Sequence, residues 1–510
     1  MIFHDNAKIL TPTDGAARLE LRKNTVAIWL NPTKEPVSSV QVKWYFDTSF
    51  MKKVLADSWG VARADLSWQP LPLSRPAEWY FLAFDGERTH GFGVKTGCNS
   101  FCSWEIEPDG VTLRCDTRNG GEGVELTEPL LCAEAVYTVS AEGESPYRAA
   151  RAFCRVMCER PRLPGRPIYG FNNWYYAYGN ITRASVLEDA RLCARLGSML
   201  DKDAPRPITV IDDGWNRNGG VKDGVSYNGG PFSPNDDFGD LRVLAEDIGA
   251  IGCDPGIWVR PMVVLDELCP HIPAECYSEN QEFPSRGRVL DPTTKGAKEY
   301  VWSLIRGLSD SGYRLIKHDF TCPDLMGKQF LDPTLTRGGW HWHDKTKTNA
   351  QVFKELYTLI QDAANGASVI GCNIYNHLAA GIHDIVRSGN DTSGHHWHIT
   401  RDYGINTLAF RQCQNEAFFM TDADCAAFTD RVPTELNLRF AELISLSDSA
   451  LFISAAPGIL TPRDEERLMQ AFRRSSLGGN DLEPLDWMER NVPEHYSCRG
   501  KRYDYTWNEQ

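Results

Sequence analysis

The spacing of apolar and polar residues changes once along the chain, near residue 143, from a pattern of strands alone to one that includes helices. Before that point, short alternating stretches are separated by turn signals such as Asp85-Gly86, a pattern typical of antiparallel strands. Because no convincing helical periodicity interrupts these stretches, we predict an N-terminal antiparallel β-sandwich over residues 1–143. The predicted strands include Ala17–Leu21, Val40–Phe46, Tyr80–Phe84 and Gly123–Leu126.

Residues 144–167 are predicted to link two domains. Tyr147–Glu159 places apolar residues at helical spacing, and prolines follow at positions 161, 164 and 167. A helix followed by a stiff, proline-rich stretch is typical of a connection between compact units.

From residue 168 the chain alternates between predicted strands and helices. This alternation predicts a parallel sheet, and eight strands suit a closed (β/α)8 TIM barrel over residues 168–475, with a doubly wound open sheet as the alternative. Residues 476–510 are predicted to be a C-terminal tail packed on the barrel. The strands are Tyr169–Trp174, Ile208–Asp212, Gly256–Pro261, Arg314–Asp319, Ser368–Asn373, Asp384–Arg387, Ala417–Thr421 and Ala450–Ser454. The helices are Ala184–Leu196, Leu241–Ile251, Gly296–Ser309, Ala350–Ala364, Arg401–Gln412, Pro433–Ser445 and Pro462–Arg473.

The composition limits the kinds of molecule that the protein is expected to bind. The formal net charge of −14 argues against nucleic acid, whose phosphates require a face rich in Lys and Arg, and against anionic membranes. No apolar run reaches the ~18–20 residues of a membrane span, and no secretory signal is visible. Fifteen scattered cysteines are interpreted as reduced core thiols of a cytoplasmic protein. Homo-oligomerisation stays open.

Polar residues follow nearly every predicted barrel strand. In such a barrel the active site lies at the carboxyl ends of the strands, so these residues are expected to converge. One residue of this kind is more often a helix cap, but seven groups at one rim predict an active site. The groups are Asn172-Asn173-Trp174, Asp212-Asp213-Gly214-Trp215, Trp258-Val259-Arg260, Lys317-His318-Asp319, Cys372-Asn373, Arg387 to Asp391, and Asp422 with Asp424.

Asp319 and Asp391 are the predicted catalytic pair. Hydrolysis of a glycosidic bond needs one ionised carboxylate and one carboxylic acid. Lys317 lies two residues before Asp319 on the same face of a strand, so its ammonium is expected to keep Asp319 ionised as a nucleophile. Asp391 begins a Gly-rich loop close to Trp397 and suits a general acid/base if it is partly desolvated. The alternative is a structural salt bridge between Lys317 and Asp319.

Six motifs occur in order along the predicted barrel: Gly170-Phe171-Asn172-Asn173-Trp174, Asp212-Asp213-Gly214-Trp215, Lys317-His318-Asp319-Phe320, Arg387-x-x-x-Asp391, Asp422-Ala423-Asp424 and Ser454-Ala455-Ala456-Pro457. Together they resemble the motifs of the clan D glycosidases, the melibiase-type α-galactosidases and their relatives. The predicted N-terminal sandwich is similar to the domain that precedes the barrel in bacterial and plant members. The resemblance implies a retaining enzyme that acts by double displacement on a carbohydrate substrate without a metal or other cofactor.

The resemblance also implies roles for individual residues. Asp319 would attack the anomeric carbon, while Asp391 would protonate the leaving oxygen and then activate water. Asp212 and Asp213 would bind the outer hydroxyls of the terminal sugar beside Lys317. Further substrate-binding residues are expected at the strand ends, namely Trp174, Trp215, Trp258, Arg260, Cys372 and Arg387.

The chain also departs from the family pattern. His318 and Thr321 replace the Trp and Asn that are usual around the nucleophile, and Arg260 stands near a position that is often acidic. The segment 371–377 replaces a Gly-rich one, and the family's C-terminal β-sandwich is not evident. Galactose specificity therefore stays open.

Two clusters of His and Trp, at 340–344 and 395–398, have two interpretations. Imidazole is the commonest metal ligand, whereas the interleaved Trp residues favour walls of sugar subsites.

The leading hypothesis is an exo-α-glycosidase. Alternatives are a galactosyltransferase of the same clan, similar to raffinose synthases, a Schiff-base lyase that uses Lys317, and a carbohydrate-binding pseudoenzyme.

Overall fold

The computed structural model describes residues 6–60, 63, 65–217, 220–222, 225–283 and 286–508. Residues 1–5, on which the expectation of no secretory signal depends, lie outside the described residues. Ten antiparallel strands form one sheet in the N-terminal region, from an edge at Ala7–Thr11 to the other edge at Ala17–Leu21. The remaining strands are Thr25–Leu30, Ser39–Tyr45, Lys53–Asp57, Ala77–Phe84, Thr89–Val94, Phe101–Glu107, Gly110–Asp116 and Leu130–Val139.

The core of this β domain is aromatic. Phe81 and Phe92 stack with ring centroids 4.7 Å apart, and Trp104 contacts both Phe81 and Trp44. The predicted strand Gly123–Leu126 is wrong, because the strand there is Glu122–Gly123, which pairs with Arg118–Asn119 in a short hairpin. The hairpin lies against the barrel so closely that a Cβ on Gly121 would be 1.9 Å from the carbonyl oxygen of Arg337.

The linker contains the predicted helix, Pro146–Met157, capped by the Ser145 side chain. Eight parallel strands then close into a barrel because the first pairs with the eighth, which rules out the open-sheet alternative. The prediction of an antiparallel β domain followed by a TIM barrel is therefore confirmed. The barrel strands are Tyr169–Asn172, Ile208–Ile211, Asp254–Val259, Leu315–His318, Ser368–Gly371, Ile385–Arg387, Met420–Phe428 and Ala450–Ala455.

Most predicted barrel helices are present, and the apolar face of each lies against the strands. They are Arg183–Leu196, Leu241–Ile251, Lys295–Asp310, Asn349–Ala363, Thr434–Leu446 and Pro462–Leu477. Short helices at the strand ends are Trp174–Ala177, Thr321–Met326 and Asn376–Ala379.

Two predicted elements around the sixth and seventh strands differ from the structure. The predicted helix Arg401–Gln412 is interrupted: a π-helical stretch, Arg401–Asn406, separates the α-helices Trp397–Thr400 and Thr407–Arg411. Asn406, the last residue of the π-helical stretch, donates through its side-chain amide to the carbonyl oxygens of Leu66 and Asn491. The seventh strand begins at Met420, not at Ala417, and its register shifts between Asp422 and Cys425.

The C-terminal residues form a small sheet of Glu483–Pro484, His495–Cys498 and Lys501–Asp504. The Trp487 ring contacts Trp68 of the β domain and Phe410 of the barrel, while the Trp397 indole donates to the carbonyl oxygen of Trp507 at 2.7 Å. This segment therefore touches both larger units.

All fifteen cysteines lie in the described part of the chain, where each is buried and none forms a disulfide. Among the described residues, no helix combines the length and the apolar character that a membrane crossing requires.

Candidate active site

An ion pair between the second and fourth barrel strands forms one wall of the rim. Lys317 Nζ donates to Asp212 Oδ2 at 2.8 Å, and the Asn172 amide donates to the same oxygen at 2.6 Å. All three side chains are buried. Burial acts to lower the pKa of Lys317, but the carboxylates of Asp212 and Asp319 raise it well above its ordinary value. The ammonium therefore stays charged.

Asp213 follows Asp212 directly in the chain, and the pKa of its carboxyl group is raised. Burial and the adjacent Asp212 carboxylate raise the pKa of Asp213 to about 7, against the opposing effect of the Asn228 side chain. Its charge therefore changes near neutral pH.

Asp319 follows the fourth strand and accepts three hydrogen bonds. The Trp258 indole donates to Oδ2 at 3.0 Å, while the Asn373 amide and the Phe320 N–H donate to Oδ1, each at 2.7 Å. Burial acts to raise the pKa of Asp319, but Lys317 and these three donors together hold it below the ordinary value. The lowered pKa favours the ionised carboxylate.

Asp391 lies beyond the sixth strand in a different environment. Its side chain is 51% exposed, and its Oδ1 accepts from Arg387 Nη2 at 3.2 Å. Desolvation by the surrounding rim raises the pKa of Asp391, Arg387 opposes this shift, and the Asp424 and Asp319 carboxylates add to it. The pKa values of the two predicted catalytic carboxyls are therefore shifted in opposite directions, downwards for Asp319 and upwards for Asp391.

The remaining predicted site residues fall into two groups. Trp258 contacts Asp319 through its indole N–H. Cys372 is close enough to Asp319 for the carboxylate charge to raise the pKa of the thiol, and its sulfur accepts a hydrogen bond from Arg387 Nη1 at 3.5 Å. Trp174 is half-buried at the start of the short helix after the first strand, with its ring centroid 5.5 Å from that of Tyr178.

Trp215 and Arg260 lie behind this surface. Trp215 is fully buried, and its indole donates to the carbonyl oxygen of Trp258 at 3.0 Å. The Arg260 guanidinium binds both carboxylate oxygens of Asp324 and also donates to Asn228. Its charge is therefore matched by a protein carboxylate, so these two residues support the site and do not line it in this conformation.

The tryptophan rings of the two His and Trp clusters, at 340–344 and 395–398, are buried in the protein. Trp340, Trp342 and Trp397 are each at most 3% exposed, so the interpretation of these rings as sugar-subsite walls is wrong. Among the described residues, no three His, Cys, Asp or Glu side chains are arranged to hold a metal ion.

A cavity of about 740 Å³ lies beside helix Lys295–Asp310, away from the strand ends. None of the strand-end carboxylates lines it.

His318, which departs from the family pattern, faces away from the barrel interior. Its Nε2 lies 3.0 Å from Nε2 of His383, and both rings are fully buried. Burial lowers the pKa of His318 to about 4, so the two rings are neutral and one donates to the other. This pair helps to fix the strand that carries Asp319.

Tyr175 belongs to the site, although the sequence pattern does not predict it there. The Tyr175 hydroxyl donates to Oδ2 of Asp424, which also accepts from Arg387 at 2.8 Å. Tyr175 follows the motif at the end of the first strand, but its ring is buried. Only the closure of the barrel, which places the first strand near the seventh, reveals the contact.

Structural comparison finds similar folds among α-galactosidases. The enzyme from Thermus thermophilus, solved with p-nitrophenyl α-D-galactopyranoside, is 16% identical over 96% of this chain and 95% of its own, with a TM-score of 0.63. The GH36 α-galactosidase AgaA from Geobacillus stearothermophilus is 15% identical, with 90% and 67% covered and a TM-score of 0.59. The α-galactosidase from Lactobacillus brevis is 12% identical, with 97% and 74% covered and a TM-score of 0.60.

No family model matches the chain, and no curated protein is significantly similar to it in sequence. At these low identities the structural likeness establishes the two-domain fold.

Proposed function

We propose that this chain is a retaining exo-α-glycosidase that hydrolyses terminal α-galactosides. The observation that carries the proposal is the contrast between its two rim carboxyls. Asp319 is buried, accepts three hydrogen bonds and has a lowered pKa, whereas the pKa of Asp391 is raised. An ionised carboxylate and a protonated carboxyl are the two groups that glycoside hydrolysis with retention requires.

In the first step, Asp319 attacks the anomeric carbon and forms a covalent glycosyl ester. The bond from that carbon to the leaving oxygen breaks, its electron pair stays on the oxygen, and Asp391 gives its proton to that oxygen. In the second step, the Asp391 carboxylate takes a proton from water. The water oxygen attacks the anomeric carbon, and the Asp319 carboxylate leaves, so the configuration is retained.

The sugar hydroxyls are assigned to the wall formed by Asp212, Asp213 and Lys317. The ion pair between Lys317 and Asp212 offers both donors and acceptors to a neutral polyol. The half-buried Trp174 ring after the first strand is assigned to the apolar face of the sugar. Trp258 is only 2% exposed, so its role is to donate its indole N–H to Asp319 and not to stack on the sugar. The α-galactoside specificity is supported by the ligands of structural neighbours, which were solved with p-nitrophenyl α-D-galactopyranoside and with stachyose.

The proposal is tested with nitrophenyl glycosides that vary in sugar and anomeric configuration. We expect turnover of the α-galactoside, NMR detection of the α-anomer as the first product, and loss of turnover in Asp319→Asn with an unchanged circular dichroism spectrum. First release of the β-anomer would contradict retention, and full activity of Asp319→Asn would contradict the assigned nucleophile. Product analysis with added acceptor sugars separates hydrolysis from galactosyl transfer.

The Schiff-base alternative is disfavoured by the state of Lys317. A lysine must lose its proton to attack a carbonyl, whereas the ion pair with Asp212 raises the pKa of this ammonium. Borohydride treatment with a carbonyl substrate is expected to leave the protein mass unchanged.

A further inference from the structure

Arg387 lies among three carboxyl groups below the rim. Its guanidinium is 1% exposed, and Nη2 donates to Asp424 Oδ2 at 2.8 Å and to Asp391 Oδ1 at 3.2 Å. Its Nε lies 4.0 Å from Oδ2 of Asp422. One buried positive charge therefore lies close to three carboxyl groups, and one of these, Asp391, is the proposed general acid.

Asp424 is the residue of this group that receives the most hydrogen bonds. Its Oδ2 accepts from Arg387, from the Tyr175 hydroxyl, and from both the N–H and the hydroxyl of Thr392, the last two at 2.8 and 3.1 Å. Four hydrogen-bond donors therefore converge on one carboxylate oxygen. Asp424 also has a φ of +68° where the seventh strand changes register, a backbone state that costs energy for a residue with a side chain.

Arg387 alone would be unfavourable for a general acid. An arginine in contact with a carboxyl lowers the pKa of that carboxyl by about 1–3 units and so keeps it ionised. The Asp424 carboxylate offsets this charge, and its own negative charge acts in the direction that protonates Asp391. The hydrogen bonds to Thr392 also fix the residue that follows Asp391.

We propose that Asp424 is a positioning residue that keeps Asp391 available as a proton donor, by neutralising Arg387 and by holding Thr392. This inference rests on the proposed function. Titratable and charged groups from the surrounding elements also act on Asp391 or on its neighbours, and they are Tyr175, Lys317, Asp319, Cys372, Arg387 and Asp422.

The test compares kcat/KM across pH for Asp424→Asn and the wild type, because kcat/KM reports glycosylation only. With an α-galactosyl disaccharide, whose leaving oxygen needs a proton, we expect the basic limb of the Asp424→Asn profile to move down by about one pH unit or more. With 2,4-dinitrophenyl α-galactoside, whose leaving group needs no proton, kcat/KM is expected to stay within about threefold of the wild type.

Thr392→Val is the matched control, because it removes the hydroxyl bonds to Asp424 and to the Cys425 carbonyl, keeps the N–H bond to Asp424 and changes no charge. Its basic limb is expected to stay in place. Equal losses on both substrates with an unmoved basic limb in Asp424→Asn would overturn the proposal and indicate a purely structural role. A wild type that turns over neither substrate would instead refute the proposed function.

A measurement on the wild type covers the case in which Asp424→Asn does not fold. Carboxyl ¹³C NMR of the protein labelled at aspartate, assigned with Asp391→Asn, is expected to show Asp391 protonated to a higher pH than an ordinary aspartic acid. An Asp391 pKa at or below that of an ordinary aspartic acid would overturn the proposal.

Discussion

Lys317 and Asp212 form an ion pair of 2.8 Å that joins the fourth barrel strand to the second. The charge of Lys317 reaches Asp319 as well, since it lowers the pKa of that carboxyl. One buried ammonium therefore supports both the proposed sugar-binding wall and the proposed nucleophile.

Replacing this lysine by a neutral residue is expected to destabilise the fold. Lys317→Met leaves the Asp212 carboxylate buried without its cation, and breaking a buried pair in this way costs about 3–5 kcal/mol. Urea denaturation measures the loss. The double variant Lys317→Met/Asp212→Asn, which removes both charges, should recover a large part of it. Equal stabilities of the single and double variants would show that the loss does not come from an unpaired Asp212 carboxylate.

Asp213 is expected to make substrate binding depend on pH. Its pKa of about 7 means that the carboxyl is protonated below this pH and ionised above it. An ionised carboxylate accepts stronger hydrogen bonds from hydroxyl groups, so KM should rise as the pH falls from 8 to 6. In Asp213→Asn, KM should be higher and constant over this range. A wild-type KM that is also constant would contradict the assignment.

The hydrogen bonds to Asp319 are expected to set the acid limb of the activity profile. Asn373→Ala removes the 2.7 Å donor, and a hydrogen bond to a charged group contributes about 1.5–3 kcal/mol, so kcat/KM should fall about 10–100-fold. The pKa of Asp319 should rise, which moves the acid limb to higher pH. Trp215→Phe is the control, because its indole bonds to the Trp258 carbonyl and not to Asp319. Movement of its acid limb by the same amount would argue against a specific effect of Asn373.

The pattern of the sequence predicts most strands, the barrel and the polar strand ends, because these depend on local periodicity. The partners across the barrel are not predictable in this way. Tyr175 and Asp424 are distant in sequence and meet only through the closure of the barrel and the register shift of the seventh strand. Arg260 was expected to face the substrate, but Asp324, on the short helix after the fourth strand, neutralises it.

Glu78 of the β domain is expected to reduce stability as the pH rises. It is 3% exposed, and burial raises its pKa to about 8 although Arg63 and Arg75 oppose the shift. The folded pKa exceeds the unfolded value of about 4.3, so its stabilising contribution is complete below about pH 4 and is lost as the pH rises towards 8. Glu78→Gln does not titrate. Urea denaturation should therefore show this variant gaining stability relative to the wild type between pH 5 and pH 8.

Glu105→Gln, an exposed replacement in the same sheet, is the control for that measurement. Its stability relative to the wild type should be nearly independent of pH. A Glu78→Gln difference that is equally flat would mean that Glu78 is ionised in the folded protein.

The burial of every cysteine gives this protein an internal reporter of local opening. A thiol reagent in solution reacts with a buried sulfur only after the surrounding structure opens. Labelling rates followed by peptide mass spectrometry would therefore measure opening free energies at native positions without engineered probes. The sites cover the β domain, the barrel and the C-terminal sheet, for example at Cys102, Cys253, Cys372 and Cys498. The order in which they react would show whether the domains open together or one at a time.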